Sequence, residues 1–160
     1  MTRMDFLVRK DALATTELRQ ATDAPLADGH IRLAIDRFAF TSNNVSYAAA
    51  GDTLNYWTFF PAPEGWGRIP VWGFATVAES AHPDIAAGEA IWGYFPMSTH
   101  VVLEPARVSR DGFLDGAPHR KPLHEIYNQY TRCGVDPWHA DGREDVEALL
   151  RPLFGTSWLV

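Results

Sequence analysis

The chain has 160 residues, 46% of them hydrophobic, and carries 14 Lys and Arg against 20 Asp and Glu, a net charge of −6 with histidine neutral. That balance fits one globular domain with a sizeable core and excludes a disordered tail or a collagen-like repeat. With no run of basic residues there is no electrostatic footprint for nucleic acid or an anionic membrane, and the solitary Cys133 excludes an internal disulfide and a multi-cysteine zinc cluster.

Asp5 to Arg9 and Glu17 to Thr22 read as short strands separated by a polar connection, and Pro25, Asp28 and Gly29 supply the next turn. From His30 to Phe40 the apolar residues Ile31, Leu33 and Ile35 alternate with polar or small ones. The phase then slips at Asp36-Arg37 and resumes with Phe38 and Phe40. Such a slip turns side chains to the opposite face, so a β-bulge near Arg37 and a curved strand are expected. Thr41-Ser42-Asn43-Asn44 can cap a short helix that ends at Gly51-Asp52. Aromatic-rich Asn55 to Phe60 leads into a Pro- and Gly-rich loop, and Val71 to Ser80, Ala90 to Phe95 and Thr99 to Glu104 are further strands.

After Pro105 the character changes. A helix is expected from Pro122, where Leu123, Ile126, Tyr127 and Tyr130 recur at helical spacing before Cys133-Gly134. Another is expected from about Asp145, with Val146, Leu149, Leu150, Leu153 and Phe154 on its apolar face and Pro152 able to end or kink it. The expected whole is mainly β with some α: a strand-rich, curved core over residues 1–108 and a helical extension over 109–160. The opening lacks the apolar core of a signal peptide, and no stretch approaches the roughly 20 apolar residues of a membrane helix, so a reducing, cytoplasmic setting is expected.

Ile-Pro-Val-Trp-Gly-Phe-Ala-Thr-Val-Ala-Glu-Ser from Ile69, then Ala-Ala-Gly-Glu-Ala-Ile-Trp-Gly-Tyr from Ala86, resembles the GroES-like half of medium-chain dehydrogenases and reductases, with Pro70, Gly73, Gly88, Glu89 and Gly93 as landmarks. Within that superfamily, Asn43-Asn44-Val45-Ser46-Tyr47, Tyr56-Trp57, Gly93-Tyr94-Phe95-Pro96-Met97 and Tyr127-Asn128-Gln129-Tyr130 are similar to the DUF2855 proteins. The resemblance covers nearly the whole chain. It implies a GroES-like, partly open β-barrel with a short inserted helix, and an NAD(P)-binding Rossmann half across a cleft. The fingerprint of that second half is Gly-x-Gly-x-x-Gly. Gly65-Trp66-Gly67 is the only Gly-x-Gly here and Pro70 stands at the third position, so the expectation is the GroES-like half alone, with no cofactor of its own and NAD(P) only alongside a Rossmann domain. The strongly apolar end from Leu153 to Val160 supports an interrupted unit, able also to pair with a second copy.

Zinc-dependent relatives hold the metal through an early Cys and a later Gly-His-Glu. At those places this chain has Asn43-Asn44 and Gly73-Phe74-Ala75, so no metal is expected and the implied analogues are the zinc-independent quinone and enoyl reductases. In those, an Asn-x-x-Asp pattern touches the substrate. Asn44 matches the Asn and Tyr47 stands where the Asp would be. Tyr56 lies where some enoyl reductases carry a proton-donating Tyr. The resemblance thus nominates Tyr56 and Tyr47 as catalytic and Asn43, Asn44, Tyr94 and His100 as substrate-binding, toward a small apolar or carbonyl compound. The same residues also read as helix caps, half-buried core aromatics and an unpartnered histidine. The competing function is a small-ligand or protein-binding module without catalysis. His119, His124, Cys133 and His139 follow no zinc-finger spacing, and the histidines read as surface residues around a helix.

Overall fold

The computed structural model describes residues 2–158, with side chains through Phe154. The chain end from Gly155 to Val160, expected to be an apolar interface, lies outside the described side chains. Two sheets carry the architecture: a three-stranded one in the order β2-β1-β4 and a seven-stranded one in the order β7-β3-β5-β6-β10-β9-β8. In the first, β1 (Thr2–Arg9) and β2 (Ala12–Thr22) form an antiparallel hairpin, and β4 (Trp66–Gly67) pairs on the other side of β1. Both strands of the hairpin are longer than the sequence alone suggested. Arg9 of β1 and Arg19 of β2 lie over the Trp66 ring at 5.7 and 5.2 Å, so polar positions of both strands find an aromatic partner outside the core.

In the large sheet, β3 (Ile31–Phe38) pairs with β5 (Pro70–Ser80), and β5 with β6 (Ala90–Pro96). The register of β3 shifts between Ile35 and Arg37, where the alternation slips, and this bulge gives the strand its bend. The two edges of the sheet, β7 (His100–Leu103) and β8 (Pro105–Ala106), are separated in sequence by Glu104 alone. Glu104 N donates to Asp115 Oδ1 at 3.3 Å and Glu104 O accepts from Gly116 N at 2.7 Å, tying this seam to β9 (Gly112–Asp115). The seven antiparallel strands therefore form a nearly closed, barrel-like sheet whose two edges are the short strands β7 and β8, which limits edge pairing. Its interior is filled by alternating residues such as Ile31, Leu33, Val71, Ile91, Phe95 and Leu103, each at most 2% exposed. Each contributes about 1.5–3 kcal/mol relative to exposure.

The helix expected after Pro122 does not form. A single 3₁₀ turn at Glu125–Tyr127 leads into β10 (Gln129–Arg132), which pairs with both β6 and β9. Tertiary pairing overrides the helical spacing because Tyr130 has a slot between two glycines. A Cβ on Gly93 would sit 2.4 Å from the Tyr130 ring, and one on Gly112 would sit 2.0 Å from the Tyr130 carbonyl oxygen. Helices comprise α1 (Ser42–Ala49) and α2 (Glu144–Trp158), the latter running through Pro152. The face of α2 that meets the barrel differs from the expected one. Ala148 is 3% exposed, while Val146, Leu150 and Phe154 remain exposed. Arg151 lies 4.7 Å over Trp92 and pairs with Asp136 at 2.6 Å, so a guanidinium and the Ala148 methyl take part in the contact. Among the described residues no helix is long and apolar enough to cross a membrane.

Candidate functional site

Local chemistry at the start of α1 sets the site. Asn44, 5% exposed, accepts from Thr41 N at 2.7 Å, and its Nδ2 donates to Pro70 O at 2.9 Å. It therefore caps the helix and pins it to the first residue of β5. Asn43 beside it is exposed. One turn on, α1 presents Tyr47. After Gly51 the chain reverses over Trp57, and Asn55 adopts a left-handed conformation with φ of 59°. The 3₁₀ turn Tyr56–Thr58 then brings the Tyr56 ring to 4.6 Å from that of Tyr47.

Behind these two rings lies Tyr94. It is opposite Trp72 in the β5–β6 register, and their rings are 4.9 Å apart. Tyr47, Phe59 and Tyr127 close around it at 6.3, 5.3 and 5.0 Å. Four phenols, those of Tyr47, Tyr56, Tyr94 and Tyr127, thus share one aromatic nest. Burial pushes the hydroxyls of Tyr47, Tyr56 and Tyr94 above the usual phenol range, and the neighbouring phenols add to the effect. All three remain O–H donors at physiological pH.

The nest has a cleft in front of it. Asn43, Asn44 and Tyr47 from α1, Trp72 from β5, and Ala148 and Leu149 from α2 line a cavity of about 180 Å³. Among the described residues no charged side chain lines it. It offers amide and hydroxyl groups on one wall, an aromatic floor and an apolar opposite wall, a composition suited to a small uncharged ligand.

His100 is not part of this cleft. It is 3% exposed, with Nε2 2.6 Å from Asp23 Oδ2, and it lines a different concavity of about 170 Å³ together with Arg3, Asp5 and Arg68. Asp23 also takes Arg3 Nη1 at 2.5 Å, and Asp5 takes Ser98 Oγ, Arg68 Nη2 and Arg3 Nε at 2.6, 2.6 and 2.9 Å. Burial works against the Asp5 carboxylate, but the Ser98 and Arg68 hydrogen bonds and the two guanidinium charges outweigh it and hold the group below its ordinary range. These pairs stitch β1 to the Ser98–His100 segment, which gives His100 a structural partner that sequence reading lacked.

Structure brings Tyr47, Tyr56 and Tyr94 together, with Asn43 and Asn44 at their entrance, and sets His100 apart. Sequence reading missed Trp72, Phe59, Tyr127 and the α2 wall as parts of the site. The only sequence signal for Tyr127 was its place in the Tyr127-Asn128-Gln129-Tyr130 motif. Elsewhere, His139, Asp141 and Glu144 set ligand-type atoms within 4.8 Å of one another, a grouping explained by the pairs His139 Nδ1–Glu147 at 3.0 Å and His139 Nε2–Asp141 at 3.3 Å. Cys133 is buried, and burial pushes its thiol up to about 12, so it is an inert core residue.

The fold and cleft define a mainly antiparallel, barrel-like β domain with a small-molecule-sized crevice flanked by its two helices. Residues 38–160 match the family described as "Protein of unknown function (DUF2855)", and the chain belongs to that family. No curated protein matches the chain.

Proposed function

We propose that this domain binds a small, flat, uncharged, oxygen-bearing molecule in the cleft between α1 and α2 and serves as the substrate-side half of a zinc-independent NAD(P)-dependent reductase of the quinone- or enoyl-reductase kind. The supporting observation is the charge-free cleft lined by Tyr47 and Trp72, with Tyr56 and Tyr94 packed against the Tyr47 ring at 4.6 and 6.3 Å. Tyr47 and Tyr56 are the candidate proton donors. A phenol kept protonated beside a carbonyl polarises it and can supply a proton as charge develops on oxygen. Trp72 and Tyr47 offer ring faces against which a planar ligand can lie, opposite the α2 wall.

Among the described residues, the single Gly-x-Gly does not fit a dinucleotide. Gly65-Trp66-Gly67 is taken up at β4, and a Cβ on Gly67 would meet Trp57 at 2.4 Å, so that backbone is packed against an indole and cannot cradle a pyrophosphate. No step through the nicotinamide is therefore derived from these residues, and in this proposal the hydride is supplied by a part outside them. The experiment is NADPH oxidation by the natural gene product with 1,4-naphthoquinone and with an α,β-unsaturated ketone, with Tyr56→Phe and Tyr47→Phe alongside. Turnover that falls at least tenfold in either variant, with nucleotide affinity unchanged, is the expected result. Absence of oxidation with both acceptors overturns the reductase reading.

A non-catalytic binding module is the second reading. It is favoured by the direction of the tyrosine shifts, away from neutrality rather than toward it as general acid–base work prefers. Ligand-induced thermal stabilisation without turnover would decide for it.

A further inference from the structure

Tyr94 is fully buried, yet its hydroxyl has no hydrogen-bond partner among the described residues. Two polar groups close by are satisfied. The backbone carbonyl of Tyr94 accepts the Tyr130 hydroxyl at 2.8 Å, and that hydroxyl in turn accepts from Arg120 Nη2 at 3.0 Å. Packing does not require a phenol at this position, since Phe59 and Phe60 fill the same nest with plain phenyl rings. A phenylalanine would keep the Tyr94 ring contacts and remove an unpaired buried donor, which lowers stability in any folded protein. Tyr94 does not itself line the cleft, but the half-buried Tyr47 and Trp72 that do have their rings 6.3 and 4.9 Å from its ring.

We propose that Tyr94 is a specificity-determining residue, its hydroxyl donating a hydrogen bond to the carbonyl oxygen of a ligand that enters from the cleft between the Tyr47 and Trp72 rings. The proposal rests on the cleft being a ligand site and is independent of whether reduction follows. A carbonyl completes the donor. A ligand of equal shape without an acceptor leaves it unpaired, the situation in which polar sites discriminate most strongly. The size of the cavity suits a ligand of one ring bearing a ketone or enone, and its lack of charge disfavours carboxylates and phosphates.

Acetophenone and α-methylstyrene, which differ only in C=O against C=CH₂, are the two probes, titrated by NMR into the 160-residue chain and into its Tyr94→Phe variant. Wild type should prefer acetophenone by about tenfold or more, the variant should bind the two within about twofold, and its Tm should equal or exceed that of wild type. Three results overturn the proposal: a lower Tm for the variant, which shows the hydroxyl already satisfied by a trapped water; an undiminished preference in the variant; or no binding of either probe to wild type. Carbonyl preference without NADPH oxidation leaves this inference standing and retires only the reductase reading. Turnover with no dependence on Tyr94 does the reverse.

Discussion

Arg120 is 0% exposed, and its guanidinium reaches Asn128 Oδ1 at 2.8 Å, Phe59 O at 3.1 Å, Tyr127 O at 3.1 Å and the Tyr130 hydroxyl at 3.0 Å. Asp115 supplies the counter-charge at 3.4 Å, and the Phe60 ring lies 4.8 Å from the guanidinium carbon. One side chain thus holds the 3₁₀ turn carrying Tyr127, the aromatic segment carrying Phe59 and strand β10 in fixed relation. Arg120→Met would leave Asp115 buried without its partner and four oxygens short of a donor. A loss of about 3–5 kcal/mol in urea-denaturation stability is expected, with Tyr127 displaced from the nest. Arg120→Lys should recover little of it, because an ammonium cannot span four acceptors in a planar fork. Asn44→Ala tests the other wall. It removes a cap and the donor to Pro70 O, and should cost about 1–2 kcal/mol and shift the amide resonances of α1.

At the scale of elements, α2 is held by a set of polar contacts beside its buried Ala148. Arg37 reaches Asp145 at 3.1 Å and Glu144 at 3.7 Å, Arg151 reaches Asp136, and His139 sits between Glu147 and Asp141 with its ring against Phe74. Burial pulls the His139 pKa down, but the Glu147 and Asp141 carboxylates outweigh it and raise it above its ordinary 6.5. The folded value exceeds the unfolded one, so this contribution is complete below about pH 6.5 and is lost as pH rises through the folded value. Hydrogen exchange of the α2 amides, corrected for its intrinsic pH dependence, should therefore show weaker protection above that value than below it, and His139→Gln should flatten the difference. Equal slopes in both proteins would remove His139 from the latch. Since Ala148 and Leu149 form the cleft wall, loosening α2 also widens the candidate site.

These same elements show what could be read from sequence. The bulge in β3 and the cap at Thr41–Asn44 were legible because each is written in neighbouring residues: a slipped alternation in one, short polar side chains before helix formers in the other. β10 was not. Leu123, Ile126, Tyr127 and Tyr130 repeat at helical spacing, and only Gly93 and Gly112, distant in sequence, create the slot that makes Tyr130 a strand residue. His100 and Asp23 are 77 positions apart, and the Trp72–Tyr94 pair exists only through the β5–β6 register. Tyr47, Tyr56 and Tyr94 could be nominated singly. Their assembly into one nest is a property of sheet closure.

Closure is the feature of the whole molecule on which the site depends. Tyr94 on β6 and Trp72 on β5 meet the Tyr127 turn because β10, β9 and β8 carry the sheet round until Glu104 joins its last strand to its first. If the seam were merely a connection, lengthening it by two residues would cost little, since loop-closure entropy grows by only about 0.6 kcal/mol per doubling of a flexible loop. If it is the bond that closes the barrel, the same insertion breaks the Glu104 N–Asp115 and Gly116 N–Glu104 O hydrogen bonds and frees β7 from β8. Inserting Gly-Gly after Leu103 should then lower stability by about 2–3 kcal/mol, the sum of two ordinary hydrogen bonds and a freer chain. It should also raise hydrogen exchange in β7, β8 and β9 together while leaving the β1–β2 hairpin protected. Exchange confined to the inserted residues, with stability unchanged, would mean that the barrel is held by β5 and β6 alone and that the seam only connects.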